Sequence, residues 1–114
     1  MVIMKVLVFE DNLVWSSRLL QTLRHLGHEP TLMKCEEFEP NGAEVAIVNL
    51  GSGTLPAAQI VPKLKAFGVH VIGHSGHKEK GLQASGAELG CDQVVSNSQL
   101  TFKLDQLLAN ISGS

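Results

Sequence analysis

The chain lacks any apolar run long enough to cross a bilayer; its longest are strand-length, against the roughly 20 residues a membrane helix needs. It also lacks a basic block or stripe. Nine Lys and Arg stand against eleven Asp and Glu, for a net charge of −2, and the electrostatic footprint of a nucleic-acid binder is missing. Cysteine is scarce: Cys35 and Cys91 lie far apart and form no Cys-x-x-Cys pair. They read as reduced, partly buried thiols in a cytoplasmic protein. The start, Met1-Val2-Ile3-Met4-Lys5, does not have the order of a signal peptide, because its lysine follows the apolar residues and no cleavage site appears. Ser112-Gly113-Ser114 reads as a tail.

What is present is a hydrophobic content of 44% over 114 residues, enough for one core and a single domain spanning residues 1–114. Apolar runs alternate with helix-period segments, which predicts strand-helix units and a parallel sheet. The first strand, about Ile3 to Phe9, is continuously apolar, as a strand covered on both faces should be. A helix follows from about Leu13 to Leu26, with Trp15, Leu19, Leu23 and Leu26 at helical spacing and Gly27 closing it. Glu29 to Met33 reads as the second strand and Glu44 to Leu50 as the third. Only Lys34 to Ala43 lies between them, and Pro40 with Asn41-Gly42 leaves room for one helical turn at most.

The next helix is predicted over Leu55 to Phe67, kinked or starting late because of Pro62. His70 to Gly73 forms the fourth strand, with a helix near Lys78 to Leu89 behind it. Gln93 to Ser96 is a short fifth strand before a helix from Ser98 to Ile111. Ser96 and Gln99 have capping-box spacing at its start. Five strands joined by right-handed crossovers give a doubly wound sheet with helices on both faces and a shortened second helix. Ligands of such folds bind at the carboxyl ends of the strands. Glu10, Asp11, Asn49 and Ser75 all fall there.

Over nearly the whole chain this pattern resembles the receiver domain of two-component response regulators, a flavodoxin-like fold. Glu10-Asp11 matches the family's acidic pair after the first strand, and Asn49 stands at its phosphoacceptor aspartate. Ser75-Gly76 fits the Thr/Ser followed by a small residue, and Gly90-Cys91-Asp92 fits the Gly-Ala-Asp run. Asn97-Ser98, 22 residues after Ser75, occupies the place of Lys-Pro, and Val94 that of the aromatic switch residue. The resemblance implies Mg²⁺ held by the acid pair and the Gly51 carbonyl, and an aspartyl nucleophile attacking phosphorus. Here the nucleophile, the lysine and the aromatic are replaced. An amide forms no acyl phosphate, and a site with few carboxylates binds Mg²⁺ weakly or not at all.

The resulting expectation is a degenerate, stand-alone pseudo-receiver: a cytoplasmic signalling module, not an enzyme, that works by protein-protein contact without phosphorylation. No cofactor is expected beyond weak Mg²⁺, and neither nucleic acid nor membrane is an expected partner. The resemblance points to the face of the fourth helix, fifth strand and fifth helix for docking, here with Gln83, Glu88, Gln99, Lys103 and Gln106, and allows a homodimer there. Two alternatives stay open: a phosphorylatable receiver with Mg²⁺ at the acid pair, and a small-ligand sensor using the vacated pocket between Asp11, Asn49 and Ser75. Asp92 is a poor substitute acceptor because it precedes the fifth strand, at the wrong sheet end.

Plainer readings exist for each residue. Asp11 would N-cap the first helix, Ser75 would cap the helix after it, and Asn49 would hold neighbouring loop backbone. Gly73-His74-Ser75-Gly76-His77 departs from a nucleophile elbow at its second glycine, and no triad follows it. His70, His74 and His77 invite a zinc reading without an adjacent cysteine or further acid. Gly51-Ser52-Gly53-Thr54 could cradle a phosphate, yet it lacks the Gly-Lys-Ser/Thr of a P-loop. Glu10 and Asp11 would repel a flavin phosphate.

Overall fold

The computed structural model describes residues 3–76 and 78–112. The readings made at Met1-Val2, His77 and Gly113-Ser114 lie outside the described residues. Nine elements alternate along the chain: β1 (Lys5–Phe9), α1 (Leu13–His25), β2 (Glu29–Met33), β3 (Val45–Asn49), α2 (Ala57–Ala66), β4 (His70–Ser75), α3 (Lys80–Leu89), β5 (Gln93–Ser96) and α4 (Asn97–Ser112). The strands pair in parallel in the order β2-β1-β3-β4-β5. This is the doubly wound five-stranded sheet that the alternation of strand and helix patterns predicts.

Strand periodicity divides the core. Val6, Val8, Val45, Ile47, Ile72 and Val95 face one way, under Leu19 and Leu23 of α1 and Leu100, Leu104 and Leu108 of α4. Leu7, Phe9, Ala46, Val48 and Val71 face the other way, under Ile60, Val61 and Leu64 of α2. Being covered on both faces is why residues 6–9 of β1 and 45–48 of β3 are continuously apolar.

The short β2–β3 connection carries its shortening to completion: among the described residues, 34–44 form no helix. Asn41 and Gly42 take left-handed φ angles of 49° and 81°, and Ala43 N–H donates to Pro40 O at 2.8 Å. Phe38 partly stands in for the missing helix. It is buried, edge-on to Phe9 with ring centroids 5.1 Å apart, and the Lys63 ammonium lies 4.4 Å above its ring. A hollow of about 350 Å³ between Lys5, Leu7, Thr31, Met33 and Pro40 remains over this part of the sheet.

β2 is an edge strand. Glu29 N–H donates to Met4 O, so by the two-residue repeat the backbone groups of Pro30 and Leu32 turn to the open edge. Pro30 thus places a position without an N–H where a neighbouring strand would seek one.

Helix boundaries shift for local reasons. α2 begins two residues later than its sequence pattern suggests, because Leu55 is buried and Pro56 takes the cap position. Pro62 sits inside it, its ring exposed, and the helix continues past it. α4 starts on the expected capping box: Ser96 N–H donates to Gln99 Oε1 at 2.9 Å and Gln99 N–H to Ser96 Oγ at 3.2 Å. It bends at Lys103, whose φ of −125° and ψ of 19° leave the helical region. α3 approaches the sheet closely through Leu50, the residue after β3. A Cβ on Gly86 would stand 2.6 Å from Leu50 Cδ1, and one on Gly73 would stand 2.9 Å from Cys91 Sγ and 3.1 Å from Leu50.

Candidate functional site

Three strand ends meet at the carboxyl edge of the sheet. Glu10 follows β1, Asn49 ends β3, and His74 pairs with Asn49 in the β3–β4 register. All three share the strand parity of Val8, Ile47 and Ile72, so they point to the α1–α4 side. β4 runs two residues further than its apolar pattern suggests, which carries His74 inside the strand.

The result is a chain of side chains. Asn49 Nδ2 donates to Glu10 Oε2 at 2.6 Å, and Asn49 Oδ1 accepts from Gly51 N–H at 2.9 Å. Asn12 N–H also reaches Glu10 Oε2, at 3.3 Å. On the other side His74 Nδ1 lies 2.7 Å from Asn97 Oδ1. An amide oxygen only accepts, so Nδ1 carries the hydrogen and Nε2 is left with its lone pair. That nitrogen faces Glu10 Oε1 at 3.8 Å, and both atoms are buried without a hydrogen-bond partner. Burial pushes the His74 imidazole below its ordinary pKa, against the Asn97 hydrogen bond and the Glu10 charge, which raise it.

Asp11 belongs to a second cluster. Its Oδ2 accepts from Ser52 Oγ at 2.8 Å, from Gly53 N–H at 3.2 Å and from Thr54 Oγ1 at 3.2 Å. The Ser52 hydrogen bond is the largest influence on its carboxyl and holds it below the usual value; burial opposes this, and the bonds from Thr54 and Gly53 assist. Asp11 therefore does not N-cap α1. Asn12 does, its Oδ1 accepting from Val14 and Trp15 N–H at 3.0 Å each, because an Asn directly before the first helical residue is better placed. The signal was legible in Asn12-Leu13.

Ser75 reaches the same sheet end with opposite parity. It is buried, and its Oγ donates to Gly76 O at 3.3 Å. It does not cap a helix, since α3 begins only at Lys80 after Glu79. Glu79 Oε1 instead accepts from Gly76 N–H at 2.9 Å. Asn97 joins the site through His74, and Gly51 through its N–H. Asp92 lies at the other end of the sheet, where it accepts from Lys65 Nζ at 2.6 Å and Val71 N–H at 2.8 Å. His70 turns to Gln93 Oε1 at 3.2 Å, and among the described residues no group of three His, Cys, Asp or Glu side chains could hold a metal.

The donor set can be tested against Mg²⁺, which takes near-octahedral oxygen ligands. Glu10 Oε2 is already occupied by an N–H₂ group that itself cannot ligate a cation. Asp11 Oδ2 is occupied by three donors. Glu10 Oε1 is buried facing His74 Nε2, which leaves Asp11 Oδ1 as the one carboxylate oxygen open to an ion, and a single such oxygen does not fit Mg²⁺. A cavity of about 170 Å³ adjoins the acids, bordered by Leu13, Leu32, Met33, Thr54 and Leu55. Neither Asn49 nor Ser75 lines it.

No protein-family profile and no curated protein sequence matches the chain. Solved structures do. A candidate response regulator from Chloroflexus aurantiacus superposes with a TM-score of 0.86 at 13% identity, covering 99% of this chain and 100% of that one. The receiver domain of a sensor histidine kinase from Pseudomonas aeruginosa, solved with magnesium in its active-site cleft, gives 0.81 at 18% identity, over 99% and 100%. A response-regulator receiver domain protein from Clostridium thermocellum gives 0.82 at 17%, over 97% and 95%. At these identities the likeness is one of fold.

Proposed function

We propose that this chain, which has the fold of response-regulator receiver domains, acts as a phosphorylation-independent signalling module that docks onto a protein partner and catalyses no reaction. The observation that carries the reading is Asn49. The strand end that resembles the family's phosphoacceptor holds an amide, and that amide is engaged on both sides, by Glu10 and by Gly51. An amide nitrogen bound to a carboxylate is no nucleophile toward phosphorus. Asn97, in the place of the lysine that would neutralise a phosphoryl group, is spent on His74.

Docking through α3, β5 and α4 belongs to the same proposal. Glu88, Gln99, Lys103 and Gln106 are exposed there and Gln83 partly so, and Phe102 on α4 is 82% exposed. A protein partner or a second copy of the chain is the proposed occupant, in the cytoplasm. No described helix is long and apolar enough to cross a membrane.

The test is the intact mass after incubation with a small-molecule phosphodonor and Mg²⁺. No added phosphoryl group is the expected result. An adduct of one phosphoryl group, lost in alkali, would return the chain to phosphotransfer signalling through a carboxylate other than residue 49.

A further inference from the structure

The acid pair presents a problem in charge. Glu10 is buried, with a side chain 0% exposed, and Asp11 lies next to it in sequence. A buried carboxylate is ordinarily paired with a cation or hydrogen-bonded, and the donor set here does not fit a cation. One oxygen of each is nonetheless satisfied from within the chain, while Glu10 Oε1 stays buried facing His74 Nε2 without a hydrogen bond. Asn49 places an N–H on Glu10 Oε2, and the loop that follows β3 places two hydroxyls and a backbone N–H on Asp11 Oδ2.

That loop is the glycine-rich segment Gly51-Ser52-Gly53-Thr54, whose composition suits an anion. Ser52 Oγ also accepts from Thr54 N–H at 3.3 Å and Leu55 N–H at 3.0 Å. Its hydroxyl is thereby oriented with its hydrogen toward Asp11. A Cβ at Gly53 would meet nothing within 4 Å, so this glycine is not required for close packing of a side chain. Its N–H is what the site uses.

We infer that the chain supplies its own counter-groups to the acid pair, Asn49 to Glu10 and the Ser52–Thr54 loop to Asp11, and that this excludes divalent cations and latches the β3–α2 loop to the start of α1. The anion that fills the glycine-rich loop is the chain's own carboxylate. Asn49 is the excluding element: it turns hydrogens, not an oxygen, toward Glu10. The inference stands apart from docking, since a chain that bound Mg²⁺ could still dock without phosphoryl transfer.

Metal titrations test it directly. Mn²⁺ added to the unsubstituted chain should broaden no resonance of Glu10, Asp11 or residues 51–54 saturably, and Mg²⁺ up to about 10 mM should leave the unfolding midpoint unchanged. Saturable broadening at those residues, reversed by competing Mg²⁺, would overturn the exclusion. Asn49→Asp should lower the midpoint without metal, and Mg²⁺ should raise it by several degrees. A variant indifferent to metal, folded or unfolded, overturns the role given to Asn49. Asp11→Ala reads the latch: amide exchange at Gly53 should rise about tenfold or more. Unchanged exchange overturns it.

Discussion

At the level of single residues, the pocket turns on which atoms carry hydrogens. His74 is buried with one ring nitrogen bonded and the other facing Glu10 without a bond. Burial lowers its pKa in the folded chain, so on acidification the unfolded chain takes up this proton first, near the ordinary value of 6.5. More protons bound in the unfolded state means stability that rises with pH. Stability present above about pH 6.5 is therefore lost as pH falls from there toward the folded pKa, with a slope of at most about 1.4 kcal/mol per pH unit. Denaturant melts between pH 7.5 and 5 should show that slope. His74→Asn, which keeps a donor for Asn97, should flatten it. Strand ends alone placed Glu10 beside Asn49, so their meeting was legible in the sequence. The inward turn of His74 was legible only by counting strand parity from Ile72 past Gly73, where the apolar pattern stops. Asp11's capture by its loop was not legible: it depends on the loop's path, which no local propensity sets.

Among the elements, α3 approaches the sheet closely through Leu50. Leu50 is wedged between Gly73 and Gly86, so neither side offers it room to retreat. Gly86→Ala would gain about 1 kcal/mol of helix propensity, yet it puts a methyl 2.6 Å from Leu50 Cδ1. Overpacking of that kind costs about 1–3 kcal/mol. The net expectation is a lower unfolding midpoint, recovered in part by adding Leu50→Val; a raised midpoint for Gly86→Ala alone would show that Leu50 has space. Gly86 could not have been read this way from sequence, where it is merely a poor helix former. The capping box at Ser96 and Gln99 was readable, because its two hydrogen bonds join residues three apart and need no tertiary context. The start of α2 fell between these cases: Pro56 marks a boundary, but only the burial of Leu55 decides on which side of it the helix begins.

For the whole molecule, support is uneven across the sheet. β1, β3 and β4 each have a neighbouring strand on both sides, whereas β2 pairs with β1 alone and has no helix over one face. None of its five residues is fully buried. Such a segment should open without the rest. Amide exchange under native conditions should therefore rank β2 well below β3 and the β3-facing amides of β1, with Thr31 and Met33 exchanging at least about tenfold faster than Leu7 and Ile47. Equal protection in the four amides would mean that β2 opens only with the entire domain. The parallel order of the strands was legible, because apolar runs alternate with helical ones, and so was the loss of the second helix, from Pro40 and Asn41-Gly42; the exposure this leaves along β2 was not, because it depends on what else covers the sheet there.

The proline on that edge has a consequence beyond its own strand. With Pro30 facing outward, a foreign strand finds no continuous ladder on β2. Behind it lies Val6-Leu7-Val8-Phe9, an uncharged, β-prone segment of the sort that templates fibrils once uncovered. Five modestly buried residues are all that separate this segment from solvent along that side. β2 is thus less a part of the core than a cover strip for it. A copy that let that strip go would offer the segment beneath it to other copies.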